Sequence, residues 1–491
     1  MSPVRPAAVI CLAAGEGTRM RSDLPKVLHG IGGRTLLGHA VAVGRAVDPV
    51  HLVVVVRHGR DRVAEHVGAI DPTALLADQD EVPGTGRAVE CGLQALPPEL
   101  TGTVVVTMGD VPLLRATTLQ RLVQAHQGSA VTVLTASVPD PRGYGRIVRD
   151  AEGRVARVVE QRDADDQQAA ITEINSGIYA FDVDVLREAL EQVGADNAQG
   201  EKYLTDVVAI ARRDGHRVDA HLIEDLWQTE GVNDRLQLAR LGAELNRRTL
   251  AHWMQAGVTV VDPATTWVDV GVRLAPDVTL LPGTQLHGDT LVASGAVIGP
   301  DTTLTDVTVE AGASVVRTHG SGARIGAGAS VGPFAYLRPG TVLHEAAKVG
   351  TFVETKNAEI GPGAKVPHLS YLGDANIGAG SNIGAGTITA NYDGATKSRT
   401  TIGRHCKTGS GNVFVAPVQI GDGAFTGAGT VVRADVAPGS LAVSAGPQRQ
   451  VDDWVASKRP GTAADRAARE ARMPDGAQSS EPVARSEEPH A

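Results

Sequence analysis

The 491-residue sequence lacks several features that define particular classes of protein. Its three cysteines, Cys11, Cys91 and Cys406, are odd in number and far apart, so we expect no disulfide and a reducing compartment, the cytoplasm. No apolar run is long enough to cross a membrane, and the first apolar stretch leads directly into glycines rather than into a signal-peptide cleavage site. The formal net charge of −10 argues against a nucleic acid or an anionic membrane as a partner.

Two familiar glycine motifs for nucleotides are also missing near the N-terminus, since neither Gly-x-Gly-x-x-Gly with a later acidic residue nor Gly-Lys-Ser/Thr is found there. What is present is an apolar run at 7–13 followed by Gly15 and Gly17, which let backbone N–H groups approach an anion closely. Two nearby glycines are often a plain turn, but Arg19 and Lys26 follow at once and can hold positive charge over a ligand. We interpret this segment as a phosphate-binding loop.

Apolar runs of strand length alternate with helical patterns through the first half of the chain. The strand-like runs are 7–13, 51–56, 103–107 and 130–136, and the helical stretches are 35–47, 60–67, 86–94 and 117–126. This alternation predicts an α/β fold with a mostly parallel sheet covered by helices, whose ligands lie beyond the carboxyl ends of the strands. Asp110, after Gly109, occupies such a position. It is either the cap of the next helix or a carboxylate ligand of a divalent cation.

From about residue 257, apolar residues recur at every sixth position and glycine becomes more frequent. The recurring positions are Leu274, Leu280, Leu286, Val292, Ile298, Leu304, Ile325, Val331, Leu337, Leu343 and Val349. A period of six fits neither an α-helix nor a hairpin, but it fits a parallel β-helix in which each hexad forms one side. The segments 367–374 and 389–400 break the hexads, and insertions in repeat arrays tend to lie on one functional face.

His368 lies in the first of these interruptions. A histidine, with an unperturbed pKa near ~6.5, suits a general base, although most histidines are surface or core residues. Arg338 and Lys356 lie on preceding coils, 18 residues apart, so we expect the two cations to be stacked near one corner. Stacked cations repel unless an anion lies beside them. A sugar phosphate would meet that need, and the alternative is a solvated basic edge.

The motif Leu-x-x-Gly-x-Gly-Thr-Arg-Met followed by Pro-Lys, at residues 12–26, resembles the signature of the sugar-nucleotide pyrophosphorylases. With the hexads, the chain from about residue 9 to 455 is similar to the bacterial bifunctional N-acetylglucosamine-1-phosphate uridylyltransferase/glucosamine-1-phosphate acetyltransferases. The resemblance implies an N-terminal Rossmann-like nucleotidyltransferase domain, a linker helix and a left-handed parallel β-helix of hexapeptide repeats. We place these parts at 1–232, 233–256 and 257–455, and the aperiodic composition of 456–491 predicts a disordered tail.

The resemblance implies that the N-terminal domain joins UTP to N-acetylglucosamine 1-phosphate and releases pyrophosphate, through positioning and charge neutralisation. One or two Mg²⁺ ions are expected on Asp110 and on Asn233, and Asn233 is equally well placed to cap the helix that follows. Gln79, Gly84 and Thr85 would contact uracil. Gly145, Glu160, Asn175 and Thr205 match the sugar-binding positions of the family. The other implied positions are Leu12, Ala13, Ala14, Gly15, Arg19, Lys26, Met108 and Gly109.

For the C-terminal half, the resemblance implies acetyl transfer from acetyl-CoA to the amine of glucosamine 1-phosphate, with His368 as the general base. Arg338 and Lys356 would bind the phosphate, and Tyr371 and Asn382 the sugar. The positions implied for acetyl-CoA are Ala385, Asn391, Tyr392, Ser410 and Ala428. We also expect Asn382 to orient His368 and Ser410 to offer an oxyanion donor. Columns of this family assemble as homotrimers with sites between subunits.

The sequence departs from the family pattern in its last coil, where Ala445 follows Ser444 and some members carry an arginine for CoA. Trp454 either covers the CoA of a neighbouring subunit or packs against the column. Both features concern how CoA is held and leave the implied reaction unchanged.

Two other functions are compatible with the same layout. One is a different sugar-nucleotide pyrophosphorylase with a non-catalytic hexapeptide domain, and the set of His368, Tyr371 and Asn382 counts against it. The other is a regulatory scaffold with degenerate sites, and the intact set of Lys26, Asp110 and Asn233 counts against that.

Overall fold

The structure, a computed structural model, describes residues 4–444, 446 and 448–472. The first part of the chain forms a sheet flanked by helices. The strands of this part are β1 Ala8–Leu12, β2 Gly30–Ile31, β3 Arg34–Thr35, β4 His51–Val56, β5 Leu75–Asp78, β6 Thr103–Met108, β7 Val131–Ser137, β8 Arg146–Arg149, β9 Val155–Val159, β10 Glu173–Asp182 and β11 Val218–Ile223. Strands β2 and β3 pair only with each other, and the others form the sheet. Its helices are α1 Leu36–Arg45, α2 Arg60–Ile70, α3 Thr85–Gln94, α4 Ala116–Ala125, α5 Asp166–Ala169, α6 Val183–Gln192 and α7 Asp206–Arg213.

The sheet has the strand order β11-β7-β10-β6-β1-β4-β5, and β1 runs parallel to both of its neighbours. The runs of consecutive valines in β4 and β6 are buried, as expected for strands covered on both faces. The neighbouring strands β6, β1, β4 and β5 are parallel, as predicted, but β10 pairs antiparallel with β6, β7 and β8, so the sheet as a whole is mixed. The antiparallel β10 was not predicted from the sequence, because its pairing with β7 shifts register between Asn175 and Tyr179 and its apolar pattern breaks there.

A long helix, α8 Arg235–Gln255, connects the sheet domain to the rest of the chain. The interpretation of Asn233 as its cap is wrong by one residue, because the Asp234 side chain accepts the hydrogen bond from the Gln237 N–H. In the middle of α8, the buried Asn246 donates to the Thr266 carbonyl at 2.8 Å and accepts from the Val268 N–H at 3.0 Å. Both halves of this side-chain amide thus pair with the first coil of the C-terminal column.

The column is a parallel β-helix with three sides. The first side contains β12 Thr259–Val260, β15 Thr279–Leu280, β18 Val297–Ile298, β21 Ser314–Val315, β24 Ser330–Val331, β27 Lys348–Thr351, β29 Lys365–His368, β35 Phe425–Thr426 and β37 Leu441–Ala442. The second contains β13 Trp267–Val268, β16 Gln285–His287, β19 Thr303–Thr305, β22 His319–Ser321, β25 Tyr336–Leu337, β31 Ile388–Ala390, β33 Val413–Val415 and β36 Val431–Val432. The third contains β14 Arg273–Leu274, β17 Leu291–Val292, β20 Thr308–Val309, β23 Arg324–Ile325, β26 Val342–Leu343, β32 Thr400–Ile402 and β34 Val418–Ile420. Strands β28 Glu354–Ile360 and β30 Tyr371–Ile377 run along both the second and the third side.

The hexad residues fill the interior of the column, which confirms the prediction of a parallel β-helix. Leu280, Leu286 and Ile298 are fully buried, and parallel pairs such as Leu280 with Ile298 join residues one coil apart. Because each hexad places one apolar residue inward, the column carries a continuous apolar core along its axis.

The three cysteines are free, as predicted, and the structure places all three in the interior. No helix among the described residues is long and apolar enough to span a bilayer. Two helices follow the column, α9 Trp454–Lys458 and α10 Ala463–Glu470. Helix α10 lies in the segment for which we predicted disorder. Thr462 caps it and the buried Asp465 carboxylate accepts from Arg469 at 3.0 Å, contacts that an aperiodic composition does not reveal. Residues 473–491 lie outside the described part of the chain.

Candidate active sites

A cleft of about 290 Å³ lies at the carboxyl ends of β1, β4, β5 and β6. This is where a mostly parallel sheet is expected to bind its ligand. The sequence-predicted residues that line it are Leu12, Ala13, Ala14, Gly15, Lys26, Gln79, Gly84, Thr85, Met108 and Asp110. The structure thus brings most of the predicted nucleotide-binding residues into one cavity.

The glycine loop lets Lys26 approach this cleft. Gly17 has a φ of 72°, and a Cβ atom there would lie 2.5 Å from the Cβ of Lys26. Only glycine accommodates both the left-handed backbone and the close approach of the lysine side chain.

Lys26 and Asp110 form the central ion pair of the cleft. The Lys26 Nζ lies 2.5 Å from the Asp110 Oδ2, and the two side chains are only 12% and 16% exposed. Beside them, Arg19 donates to the Asn233 Oδ1 at 3.0 Å. The backbone N–H of Val232 donates to the Asp110 carbonyl at 2.9 Å, which places the segment that carries Asn233 against Asp110.

The donor set around Asp110 fits a hard divalent cation that also binds phosphate. A carboxylate and a side-chain amide oxygen are ligands that Mg²⁺ accepts, and Mg²⁺ usually takes few protein ligands when a substrate supplies phosphate oxygens. Both oxygens now accept hydrogen bonds from cationic side chains. Within the described residues, no cluster of three or more His, Cys, Asp or Glu side chains could hold a metal without such a substrate.

The structure excludes the alternative role of Asp110 as a helix cap. Helix α4 begins at Ala116, and its cap position is Arg115. The Asp110 carboxylate is therefore free to face the cleft.

The predicted uracil segment is held by a part of the chain that sequence reasoning missed. The Gln79 side-chain amide donates to the Gly84 carbonyl at 3.2 Å. The backbone of Lys202 forms two hydrogen bonds with this loop, a ladder in which its carbonyl accepts from the Gly86 N–H at 2.8 Å and its N–H donates to the Pro83 carbonyl at 3.1 Å. Glu201, next to it, lines the cleft. The contact of Lys202 with this loop is made by backbone atoms, so no motif in the sequence indicates it.

The predicted sugar-binding residues form a second cluster. Thr205 Oγ1 donates to the Glu160 Oε1 at 3.3 Å, and the Asn175 N–H donates to the Gly145 carbonyl at 2.9 Å. A Cβ at Gly145 would lie 3.5 Å from the Glu160 Oε1, so glycine keeps the space beside this carboxylate open. Burial raises the pKa of Glu160, the Thr205 hydrogen bond opposes that shift, and nearby carboxylates add to it.

On the column, four of the predicted acetyltransferase residues share one corner, between the first and second sides. Backbone hydrogen bonds stack its coils: Gly386 donates to the His368 carbonyl at 3.3 Å, Gly411 to Ala385 at 2.7 Å and Gly429 to Ser410 at 2.8 Å. Ala428 directly precedes Gly429. His368, Ala385, Ser410 and Ala428 therefore follow one another on consecutive coils.

The predicted phosphate-binding cations occupy the next corner, between the second and third sides. The Arg338 guanidinium lies 2.9 Å from the Glu354 carboxylate and the Lys356 Nζ lies 3.6 Å from the Asp374 Oδ2. The prediction that they stack is confirmed, because the Arg338 N–H donates to the Thr355 carbonyl of the next coil at 2.9 Å. Each cation has a carboxylate partner, so the anion that we expected beside them is supplied in part by the chain itself.

Asp374 is a residue of this corner that sequence reasoning missed. It accepts hydrogen bonds from the side chains of Asn357, at 2.6 Å, and of Asn391. Burial opposes its ionisation, but these two amides and the Lys356 cation together hold its pKa below the usual value. Asp374 thus ties the predicted residues Lys356 and Asn391 into one network.

The remaining predicted residues lie around these two corners. Tyr371 begins β30 on the second side, Tyr392 is 58% exposed in the inserted loop, and Asn382 pairs through its backbone with Lys365 and Lys407 on the first side. Within the described residues, no hydrogen bond or ion pair joins the His368 side chain to Arg338, Lys356 or Asn382. A single chain therefore presents the histidine and the cations on different corners.

Ala445 and Trp454 are the two positions at which the sequence raised a question about CoA. Ala445 lies outside the described residues. Trp454 is 44% exposed and stacks under the Arg459 guanidinium, 5.2 Å from the ring centre.

Comparison with known proteins gives matches to both halves of the chain. A model of the MobA-like NTP transferase domain matches residues 9–200, and a model of the bacterial transferase hexapeptide (six repeats) matches residues 399–434. The Bifunctional protein GlmU of Kineococcus radiotolerans is 62% identical over 471 residues, which is 96% of each chain. The protein of the same name from Paenarthrobacter aurescens is 62% identical over 469 residues, or 94% of each chain. Among solved structures, a UDP-glucose pyrophosphorylase complexed with UDP-glucose matches 50% of this chain and 99% of its own, at a TM-score of 0.40 and 15% identity.

Proposed function

The chain belongs to the GlmU family of bifunctional proteins, and on that basis we propose that it makes UDP-N-acetylglucosamine in two consecutive steps. Its C-terminal column transfers acetyl from acetyl-CoA to the amine of glucosamine 1-phosphate. Its N-terminal domain then transfers a uridylyl group from UTP to N-acetylglucosamine 1-phosphate and releases pyrophosphate. The observation that carries the second step is the Lys26–Asp110 pair in a glycine-lined cleft at the strand ends.

Uridylyl transfer here proceeds by in-line attack of the sugar phosphate oxygen on the α-phosphorus of UTP. No side chain needs to act as a nucleophile, so the protein contributes positioning and charge neutralisation. The backbone around Gly15 approaches the triphosphate, and Lys26 and Arg19 place positive charge over it. When bound, Mg²⁺ on Asp110 and Asn233 neutralises further phosphate charge.

Gln79, Gly84 and Thr85 hold the uracil, and Gly145, Glu160, Asn175 and Thr205 hold the sugar. The hydrogen-bonded geometry of both groups supports this division, because the uracil loop and the sugar cluster are connected by the segment 201–205. That segment donates from Leu204 to the Thr85 hydroxyl at 3.2 Å and carries Thr205 to Glu160. Uracil and sugar recognition are therefore built on one continuous piece of backbone.

Acetyl transfer uses His368 as the general base, which removes a proton from the amine of glucosamine 1-phosphate as this amine attacks the thioester carbonyl. Ala385, Ser410 and Ala428 form the wall along which acetyl-CoA lies, since they continue the His368 corner on successive coils. Ser410 offers a donor to the developing oxyanion. Arg338 and Lys356 bind the sugar phosphate, and Tyr371, Asn382, Asn391 and Tyr392 complete the pocket.

A homotrimer would complete this second site. His368 and the two cations occupy different corners of one column, so a neighbouring column is needed to bring both to one substrate. The corner that holds His368 also carries three exposed apolar side chains on successive coils, Phe334, Phe352 and Leu369, and the two phenyl rings stack at 5.4 Å. Such exposed apolar surface is typical of a protein–protein interface.

We place the uridylyltransferase domain at 1–232, the linker helix at 233–256 and the acetyltransferase column at 257–455, in a cytoplasmic enzyme. Incubation with glucosamine 1-phosphate, acetyl-CoA, UTP and Mg²⁺, with each omitted in turn, tests the proposal. We expect UDP-N-acetylglucosamine and pyrophosphate only from the complete mixture. Uridylylation of supplied N-acetylglucosamine 1-phosphate without any acetyl transfer would point to a pyrophosphorylase with a non-catalytic column, and the absence of both reactions to a scaffold.

A further inference from the structure

Arg146, the first residue of β8, is among the largest side chains that the structure buries completely. It is only 1% exposed, and within the described residues no carboxylate forms an ion pair with it. An arginine keeps its positive charge in a protein, and a charged side chain is almost never fully buried unless an opposite charge pairs with it. The contacts that this cation makes therefore need an explanation.

Within the described residues, the Arg146 guanidinium donates only to neutral oxygens, and these belong to three segments of the chain. It donates to the Tyr144 carbonyl, to the Gln161 Oε1 at 2.7 Å and to the Ala169 carbonyl at 3.3 Å. The Gln161 Oε1 also accepts from the Gly143 N–H at 3.0 Å. One side chain thus joins the loop before β8, the segment after β9 and the end of α5.

These contacts lie where the antiparallel pairing of β8 with β9 ends. The last paired residues at this end are Arg146 and Val159. Gly145 and Glu160, which we call the sugar pair, come next on the two strands and face each other in this register. A Cβ atom at Gly145 would lie 3.5 Å from the Glu160 Oε1. Within the described residues, no backbone hydrogen bond joins the two members of the pair.

The Arg146 guanidinium takes the place of the missing backbone hydrogen bonds. Its acceptors Tyr144 and Gln161 are the next residues on each side, so they close the hairpin just beyond the sugar pair. Gly145 and Glu160 are therefore fixed between the last paired residues on one side and the guanidinium on the other. A guanidinium offers five N–H donors in a rigid plane, which suits a bridge to several acceptors better than a lysine ammonium does.

We propose that Arg146 is a positioning residue for sugar recognition, which fixes the separation of the sugar pair and with it the width of the pocket for N-acetylglucosamine 1-phosphate. This inference rests on the proposed function, because it takes Gly145 and Glu160 as sugar-binding residues. Arg146 acts through these two residues and does not touch the substrate, since its side chain is buried. A guanidinium that only stabilised the fold would not affect one substrate more than the other.

Steady-state kinetics of the full-length protein with Arg146→Met tests the proposal, because methionine keeps an apolar side chain and removes every donor. The KM for N-acetylglucosamine 1-phosphate should rise by about tenfold or more, since a displaced Glu160 carboxylate loses a charged hydrogen bond to the sugar. The KM for UTP and the rate of acetyl transfer should not change, and kcat for uridylyl transfer should change less than the sugar KM.

Arg149→Met is the matched control on the same strand. The Arg149 guanidinium donates to both oxygens of the Glu173 carboxylate, at 2.8 and 2.7 Å, and to the Gly153 carbonyl at 2.7 Å. Its loss removes as many hydrogen bonds from the hairpin but none beside the sugar pair. It should leave the KM values for both substrates unchanged.

Two further measurements keep the test decisive if Arg146→Met is unstable, as its melting temperature will show. Gln161→Met removes one acceptor of the guanidinium from a half-buried position and should raise the same KM by a smaller factor. Amide hydrogen exchange needs no substrate. Exchange in residues 143–145 should accelerate in Gln161→Met and in folded Arg146→Met, but not in Arg149→Met.

Several results would overturn the proposal. They are an unchanged sugar KM in folded Arg146→Met or, if that variant does not fold, in Gln161→Met, a rise of the same size in the KM for UTP, a rise of the same size in Arg149→Met, and unchanged hydrogen exchange in residues 143–145. A parent protein without uridylyl transfer would refute the proposed function and the sugar role of Arg146 with it. An active parent whose sugar KM does not depend on Arg146 would refute this inference alone.

Discussion

Replacing Lys26 by methionine separates two effects of this side chain, its stabilisation of bound phosphate and its competition with a metal ion for Asp110. Methionine retains most of the length and the apolar stem but removes the ammonium that lies 2.5 Å from the Asp110 Oδ2. Since the two side chains are 12% and 16% exposed, their interaction takes place largely away from water, where a fixed charge acts strongly on bound phosphate. Loss of one preorganised group of this kind costs about 2.7–4 kcal/mol, so kcat/KM for uridylyl transfer should fall by a factor of about 10²–10³.

The same substitution should have the opposite effect on metal binding to the protein without nucleotide. The Lys26 ammonium occupies an oxygen of Asp110 that a divalent cation would use. A hydrogen bond to a charged group is worth about 1.5–3 kcal/mol, so its removal should tighten Mn²⁺ binding by about tenfold or more. Catalysis and metal affinity should therefore change in opposite directions.

Pyrophosphate release measures the first effect, and titration with Mn²⁺ followed by electron paramagnetic resonance measures the second. Lys458→Met, an exposed lysine in α9, is the matched control and should change neither. Uridylyl transfer unaffected by Lys26→Met, or a loss of transfer together with weaker Mn²⁺ binding, would contradict the assignment of Lys26 to the phosphates.

Three further substitutions test the linker helix, the glycine loop and the sugar-binding carboxylate. Asn246→Ala removes two buried hydrogen bonds between α8 and the first coil and should lower the free energy of unfolding by about 2–4 kcal/mol; denaturant titration that finds less than about 0.5 kcal/mol would show that the helix is held otherwise. Gly17→Ala places a Cβ against Lys26 in a left-handed conformation, so uridylyl transfer should fall by at least tenfold while acetyl transfer is retained, and an unimpaired variant would argue against a tight loop. Glu160→Gln should melt at a higher temperature than the parent at pH 7 but not near pH 4, because the folded-state pKa of Glu160 is raised and its ionised form costs stability as the pH rises through that value; equal melting temperatures at pH 7 would refute this.

The parts of the fold that repeat were the easiest to predict from sequence. A hexad that places Leu280 or Leu286 inward does so on every coil, so each repeat supports the same interpretation. The cleft was predictable for a related reason, because Asp110 and Gln79 follow strands directly and parallel strands end at one edge of the sheet.

Contacts between polar side chains were not predictable. Asp374 lies one coil from both Asn357 and Asn391, but the hexad marks only the inward apolar positions and does not show which polar side chains meet on the outside. The Lys202 ladder with the uracil loop joins distant segments through backbone atoms, which leave no mark in the sequence. The cap of α8 was misplaced by one residue, since Asn and Asp are equally good caps and the sequence Asn233-Asp234 offers both.

We propose that one chain carries two independent active sites, and a pair of substitutions distinguishes them. Both activities are measured in His368→Asn and in Asp110→Asn, with each variant's melting temperature as the folding control. His368→Asn should lose acetyl transfer by a factor of about 10²–10⁴ and retain uridylyl transfer from supplied N-acetylglucosamine 1-phosphate, and Asp110→Asn should do the reverse. If either folded variant lost both activities, or neither, the account of two separate sites would be wrong.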